Sequence, residues 1–381
     1  MDKKPEESVA VAEDGESASL RRTEEKHGND PHSAEEINED ENIVVIDPLT
    51  EELDLNHHKI MKIQDFEPLT KLKKLCLRWN LIKKIENLSM LTTLSELELY
   101  DNQITEIENL DALVNLEVLD LSYNRIRQIK GLNTLTKLVR LYLVSNKIQK
   151  IENLSALTKL THLELGDNKI RKIENLECLE NLTELHLGKN KISKIENLDT
   201  LTNLRILGIM SNRLTKIEGL EKLVNLEELY ISENAIETIE GLEGCPQIST
   251  LDLASNRIRL IENVYHLSNL REFWLNSNFI EDWNCVEKLN ILKTLETIYL
   301  EHNPLAKDTA YRRKLKLFLP SLTQIDATLF SEKEISLTNP VRQSHDQKEE
   351  LGLDWINLLH WNSAGRRHPV RTKPAWRHKS I

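Results

Sequence analysis

Ten asparagines, Asn80, Asn102, Asn124, Asn146, Asn168, Asn190, Asn212, Asn234, Asn256 and Asn278, recur every 22 residues, each inside the same frame, LxxLxLxxNxI. A unit that short cannot bury its own apolar face. It must be covered by the next unit, so the chain stacks one turn upon another instead of collapsing around a single centre. One unit shows the pattern: Leu97, Leu99, Asn102, Ile104, Ile107, Leu110, Leu113 and Leu116. Leu97 and Leu99 alternate as a strand does. The later apolar residues are spaced by three, which suits a 3₁₀-like or loosely extended return better than the i, i+3, i+4, i+7 pattern of an α-helix.

These features predict an α/β leucine-rich repeat solenoid. Its strands form a curved parallel sheet on the concave side, short 3₁₀ or irregular segments form the thinner convex wall, and a helical cap closes the C-terminus. Each ladder asparagine is expected to satisfy backbone donors and acceptors left open where the strand leaves the sheet. The array starts near Leu53, with His58 in the asparagine slot of an atypical edge repeat. Its rhythm breaks after Asn278, where Trp283 takes an isoleucine slot, extra residues enter around Lys288–Thr294, and the next ladder asparagine is Asn303.

Four regions follow. Residues 1–45, rich in Asp, Glu, Ser and Lys, are expected to be a disordered acidic arm. Residues 46–303 hold about 11–12 repeats, and 304–330 form the cap through the helical spacing of Tyr311, Leu315 and Leu319 and a strand at Leu322–Ile325. Residues 331–381 lack the repeat; their basic end and the stretch Leu351–Leu359 allow a localisation patch or a binding helix, and disorder is the reading taken.

The net charge of −12 argues against nucleic acid and anionic membrane as partners and favours a basic protein. No apolar stretch approaches the roughly 20 residues needed to span a bilayer, and the N-terminus lacks a secretory apolar core. Cys76, Cys178, Cys245 and Cys285 form no CxxC pair and are read as reduced thiols of an intracellular chain. Asn87, Asn153 and Asn181 begin glycosylation sequons, read as chance matches inside the repeat.

No GxxxxGK[ST], HExxH or GxSxG motif is present, so no enzyme activity and no cofactor are expected. His57, His58 and His186 read as single imidazoles without paired ligands, and no metal site is expected. Recognition falls instead to the side chains that alternate with the strand leucines. They include Arg78, Glu96, Glu98, Asp120, Tyr142, His162, Glu164, Glu184, His186, Tyr230, Asp252, Glu272, Trp274 and Tyr299. Acids mixed with large rings suit a protein interface, where aromatic anchors dominate binding and charge sets partner choice. The glutamates of the recurring Ile-Glu-Asn-Leu (Glu86, Glu108, Glu152, Glu174, Glu196) are assigned to solubility on the convex side.

The stretches LCLRWNLIKKIENL, LYDNQITEIENL, LGKNKISKIENL, SNRLTKIEGLEKLVNLEELYIS, LDLASNRIRLIENV and NPLAKDTAYRRKLKLFLPSLTQIDA resemble the nuclear leucine-rich-repeat regulatory subunits of protein phosphatase 1, from about Leu53 through Ala327. The resemblance implies a non-catalytic subunit, a monomer by itself. Its concave face would clasp the catalytic subunit of this Ser/Thr phosphatase, altering its localisation, assembly or substrate choice, with a third, inhibitory protein as a further partner. It implies nuclear and cytoplasmic residence and a role in mitosis and chromosome segregation. Carried onto this chain, the family contacts fall at Asp120, Tyr142, Glu164, His186, Glu272, Trp274 and Tyr299; at His186 relatives commonly carry a larger aromatic. Residues 331–381 depart from the family, which ends just after the cap. The alternative is another intracellular repeat scaffold of ciliary or cytoskeletal assembly, using the same face for a different protein.

Overall fold

A computed structural model of the chain describes residues 46–330 and, as backbone, three short strands in the preceding arm. The main sheet has 14 strands in sequence order, from Glu52–Asp54 to Thr328–Leu329. Pairing is parallel as far as Gln324–Ile325, onto which Thr328–Leu329 turns back antiparallel. Register copies the sequence period: Leu163 lies beside Leu141 on one side and Leu185 on the other. These central leucines are 0% exposed. With each coil covering its neighbour, the core runs unbroken from Ile46 to Ile325.

On the convex side each repeat returns through two linked turns. Leu91 N–H donates to the Leu88 carbonyl and Leu94 N–H to that of Leu91, both at 3.0 Å. Three-residue spacing thus places every leucine at a turn end, pointing inward. The interruption after Asn278 becomes the helix Trp283–Glu287 and the 3₁₀ turn Lys288–Ile291. Asp282 starts that helix, accepting from Asn284 N–H at 2.9 Å.

The ladder asparagines hold adjacent coils together. Asn102 Oδ1 accepts from Ile82 N–H at 3.0 Å while its Nδ2 donates to the Leu77 carbonyl at 2.9 Å. Asn168 does the same with Ile148 N–H and the Leu143 carbonyl, and Asn278 with Ile258 N–H and the Leu253 carbonyl. Every one of these bonds reaches back to the preceding coil. A second row of asparagines, in the recurring Ile-Glu-Asn-Leu of the convex side, performs a similar task. Asn109 and Asn175 adopt left-handed backbone, φ 58° and 59°, and donate to the Ile85 and Ile151 carbonyls at 2.7 Å. Gly241 fills the same slot at φ 69°, where a Cβ would lie 2.4 Å from the Ile217 carbonyl oxygen.

The C-terminus closes with Pro304–Lys307, the helix Tyr311–Phe318 and the terminal hairpin. Trp283 packs between Tyr311 and Phe318, with ring centroids 6.2 and 6.0 Å away. Asp326 replaces the amide at the end of the ladder: its Oδ1 accepts from Leu300 N–H at 2.9 Å, Glu301 N–H at 3.0 Å and the Tyr311 hydroxyl at 3.1 Å.

The arm differs in part from the disorder expected over 1–45. Val9–Glu13 pairs antiparallel with both Leu20–Arg22 and Asn42–Ile46. VAVAE alternates valine with smaller or polar residues and NIVVI is a run of β-branched residues, a strand signal that the acidic composition around them masks. The remainder of the arm lies outside the described residues, as do the tail 331–381 and the stretch Leu351–Leu359. Among the described residues no helix is long and apolar enough to cross a membrane.

Candidate protein-binding face

Strand alternation turns the residues on either side of each central leucine toward the concave wall. Asp120, Tyr142, Glu164, His186, Trp274 and Tyr299 all occupy the third position of their strands, and Glu272 the first. In-register stacking places Asp120 beside Tyr142, Tyr142 beside Glu164 and Glu164 beside His186. Trp274 stands between Asp252 and Tyr299. The column is less open than its sequence suggests. Asp120 and His186 are 5% exposed, whereas Tyr142, Glu164, Glu272, Trp274 and Tyr299 are half-buried. Asp120 Oδ1 accepts from Ser122 N–H at 2.9 Å and Asp252 Oδ1 from Ala254 N–H at 2.9 Å, so one oxygen of each carboxylate shapes its own strand exit.

Aromatic rings gather in three groups along this wall. His57 stacks on Trp79 at 4.4 Å, and Trp79 leads through Tyr100 to Tyr123 at centroid spacings of 5.5 and 4.8 Å. Tyr142, His162 and His186 form a second group, spaced at 4.9 and 5.3 Å. Tyr230, Trp274 and Tyr299 form the third, at 6.1 and 5.9 Å. Trp79 and Tyr123 directly precede ladder asparagines in left-handed backbone, φ 55° for each, which throws their rings out at the strand exits. No motif marks that conformation.

Charges are partly satisfied within the wall. Lys74 Nζ lies 2.9 Å from Glu96 Oε1 and 3.7 Å from Glu98, and Arg78 pairs with Glu98. Glu96 and Glu98, read from the sequence as partner-facing acids, are therefore held by cations of the neighbouring coil. Burial and the Glu96 carboxyl raise the Glu98 pKa against the opposing pull of Arg78. Farther along, Tyr230 donates its hydroxyl proton to Glu228 at 2.7 Å, and burial with that carboxylate raises the phenol pKa. The indole Nε1 of Trp274 is buried and finds no acceptor among the described residues.

His186 is not the isolated imidazole of the sequence reading. Its Nε2 lies 3.7 Å from Glu184 Oε2, and the same oxygen lies 2.9 Å from His162 Nδ1. Residues 22 and 24 apart become neighbours because the coils are in register. Burial lowers the His162 pKa, but Glu164 and Glu184 outweigh it and raise the ring to about 8. Glu184, hydrogen-bonded to His162 and close to the His186 ring, is held far below the carboxylate range.

All four cysteines are free, with Cys178 exposed and the others buried. All three sequon asparagines are occupied: Asn87 and Asn153 donate to the Ile63 and Ile129 carbonyls at 2.7 Å, and Asn181 to the Thr158 carbonyl at 2.8 Å. A glycan on any of them would disturb that bond.

The description "Leucine Rich repeats (2 copies)" matches residues 92–134, 114–156, 136–178, 158–200 and 180–222, and "Leucine rich repeat" matches 202–258. Over 48 residues the chain is 56% identical to protein phosphatase 1 regulatory subunit 7 of Homo sapiens, a segment covering 13% of each chain. Over 45 residues it is 53% identical to protein phosphatase 1 regulatory subunit SDS22 of Schizosaccharomyces pombe, covering 11% of this chain and 14% of that one. Each match thus spans well under a fifth of the relative's length. Among solved structures, an internalin from Listeria monocytogenes superposes with a TM-score of 0.58 at 27% identity, over 75% of this chain and 91% of that one. The leucine-rich repeat domain of APL1 gives 0.59 at 21% identity, over 73% of each chain, a likeness of fold alone. The chain has the fold and repeats of the leucine-rich-repeat proteins.

Proposed function

We propose that this leucine-rich-repeat solenoid is a non-catalytic regulatory subunit that holds the catalytic subunit of protein phosphatase 1 against its concave wall. The observation that carries the reading is local sequence identity above one half with phosphatase regulatory subunits from an animal and a yeast. The chemistry of the wall supports it. Asp120, Tyr142, Glu164, His186, Trp274 and Tyr299 at the third strand position, with Glu272 at the first, set rings and acids on one sheet, the pattern by which aromatic anchors supply binding energy and carboxylates choose a basic partner.

In this reading the subunit contributes no reacting group. It sets where the phosphatase resides, in nucleus and cytoplasm, and which substrates it meets during chromosome segregation; an inhibitory third protein completes some assemblies. The test is capture of purified phosphatase catalytic subunit by the full chain. Trp274→Ala and Glu272→Lys should each weaken capture at least about tenfold, in line with interface hot spots, while Glu108→Lys on the convex wall leaves it unchanged. No capture by the intact chain, or equal loss from all three variants, rejects the reading.

A further inference from the structure

Across one parallel strand pair the concave wall carries a checkerboard of two imidazoles and two carboxylates. Glu184 sits beside His162, and His186 beside Glu164. One oxygen, Glu184 Oε2, lies 2.9 Å from His162 Nδ1 and 3.7 Å from His186 Nε2. A donor atom from each of His162, Glu184 and His186 falls within 4.8 Å of the other two. A tetrahedral ion with donors at about 2.0 Å needs them about 3.3 Å apart, so the two measured separations bracket the required edge.

The surroundings resemble those of a ligand set. Glu164 Oε2 lies 3.9 Å from His162 Nε2, beyond hydrogen-bond length but in the outer position from which a carboxylate orients a ligating histidine. Tyr142 packs on His162 at 4.9 Å, and the two imidazoles pack on each other at 5.3 Å, so both rings are held in place. The next strand carries Gly208 in the column of His186, and a Cβ there would come within 3.1 Å of His186 Nδ1. The absent side chain leaves room for the ring.

We propose that His162, Glu184 and His186 bind a divalent transition-metal ion of borderline softness, with zinc as the leading candidate and Glu164 orienting His162. Two imidazoles and one carboxylate suit such an ion. Magnesium and calcium, which take six or more oxygen ligands, are poorly served. Three protein ligands leave a tetrahedral ion one position for water or for a donor from a molecule seated on the wall. The site does not depend on which protein that is.

The test uses the full chain, free of any affinity tag and stripped with chelator. Zn²⁺ is titrated by calorimetry and Co²⁺ by visible absorption, with Mg²⁺ as control. The expected result is one saturable ion per chain, the strong visible bands of tetrahedral Co²⁺ and no response to Mg²⁺. His162→Phe and His186→Phe keep ring bulk, and Glu184→Gln keeps shape; each should weaken Zn²⁺ binding at least about tenfold, with Glu164→Gln costing about tenfold. Circular dichroism establishes that the variants are folded. Absence of saturable binding by the unsubstituted chain, equal affinity in the folded variants, or an equal response to Mg²⁺ overturns the proposal. Phosphatase capture is measured separately on metal-free chain, so failure of one reading leaves the other standing.

Discussion

Gln324 of the cap donates from Nε2 to the phenol oxygen of Tyr299 at 2.7 Å, and the same nitrogen donates to the Asp326 carbonyl at 2.8 Å. The last ring of the Tyr230–Trp274–Tyr299 group is thus positioned by the element that closes the solenoid. Gln324→Ala should weaken phosphatase binding about threefold to tenfold, the worth of one neutral hydrogen bond, with little change in the unfolding midpoint. Interferometry with immobilised chain measures the first and a thermal melt the second; unchanged affinity would detach the cap from the binding face.

Trp274→Phe retains most of the ring and removes a buried indole N–H that has no acceptor among the described residues. Leaving such a donor unsatisfied costs about 1–3 kcal/mol, so the free chain should lose little stability or gain some. Partner affinity should fall by about tenfold if the bound protein supplies the acceptor. Denaturant midpoints compared with dissociation constants separate the two effects.

Asn168→Leu strands Ile148 N–H and removes one of two donors to the Leu143 carbonyl, which keeps Asn146 Nδ2 at 3.2 Å. At about 1–3 kcal/mol for an unsatisfied buried group, the substitution should cost about 1–3 kcal/mol. The exposed convex Asn181 donates only to the Thr158 carbonyl, and Asn181→Ala should stay within about 0.5 kcal/mol. Urea denaturation distinguishes them, and hydrogen exchange should show early opening of the Ile148 amide in the first variant alone.

In metal-free chain, His162 should titrate near 8 against an ordinary 6.5. A folded value above the unfolded one means that the imidazolium stabilises fully below 6.5, and that this contribution is lost as pH rises through about 8. Glu184 is held low, so its contribution is full above its ordinary 4.5 and fades as pH falls toward its folded value. The pair supports the fold most between 4.5 and 6.5. Imidazole proton shifts followed by NMR give the value directly, and Glu184→Gln should move it back toward 6.5.

Leucine slots, ladder and cap were legible because each is written as a period along the chain: Leu97, Leu119 and Leu141 occupy equivalent places and all are 0% exposed. Contacts between coils were not. Lys74 meets Glu96, and His162 meets Glu184, across the register of adjacent strands. Read along the sequence, these partners are separated by a whole repeat and belong to different motifs, so Glu96 looked available and His186 looked solitary. The left-handed backbone at Trp79 and Tyr123 was hidden for another reason. Asp, Ser, Lys and Glu fill that slot in other repeats, and no single residue type announces it.

Because each ladder amide serves the coil before it, closure is owed in one direction only. Asp326 is the knot at the end of that thread: it ties off Leu300 and Glu301, which no later asparagine follows. Cut there, the fabric would unravel from its C-terminal hem, and Tyr299 and Trp274 would be among the first stitches to slip. The end of the wall proposed to grip a partner and the fraying end of the solenoid are the same place.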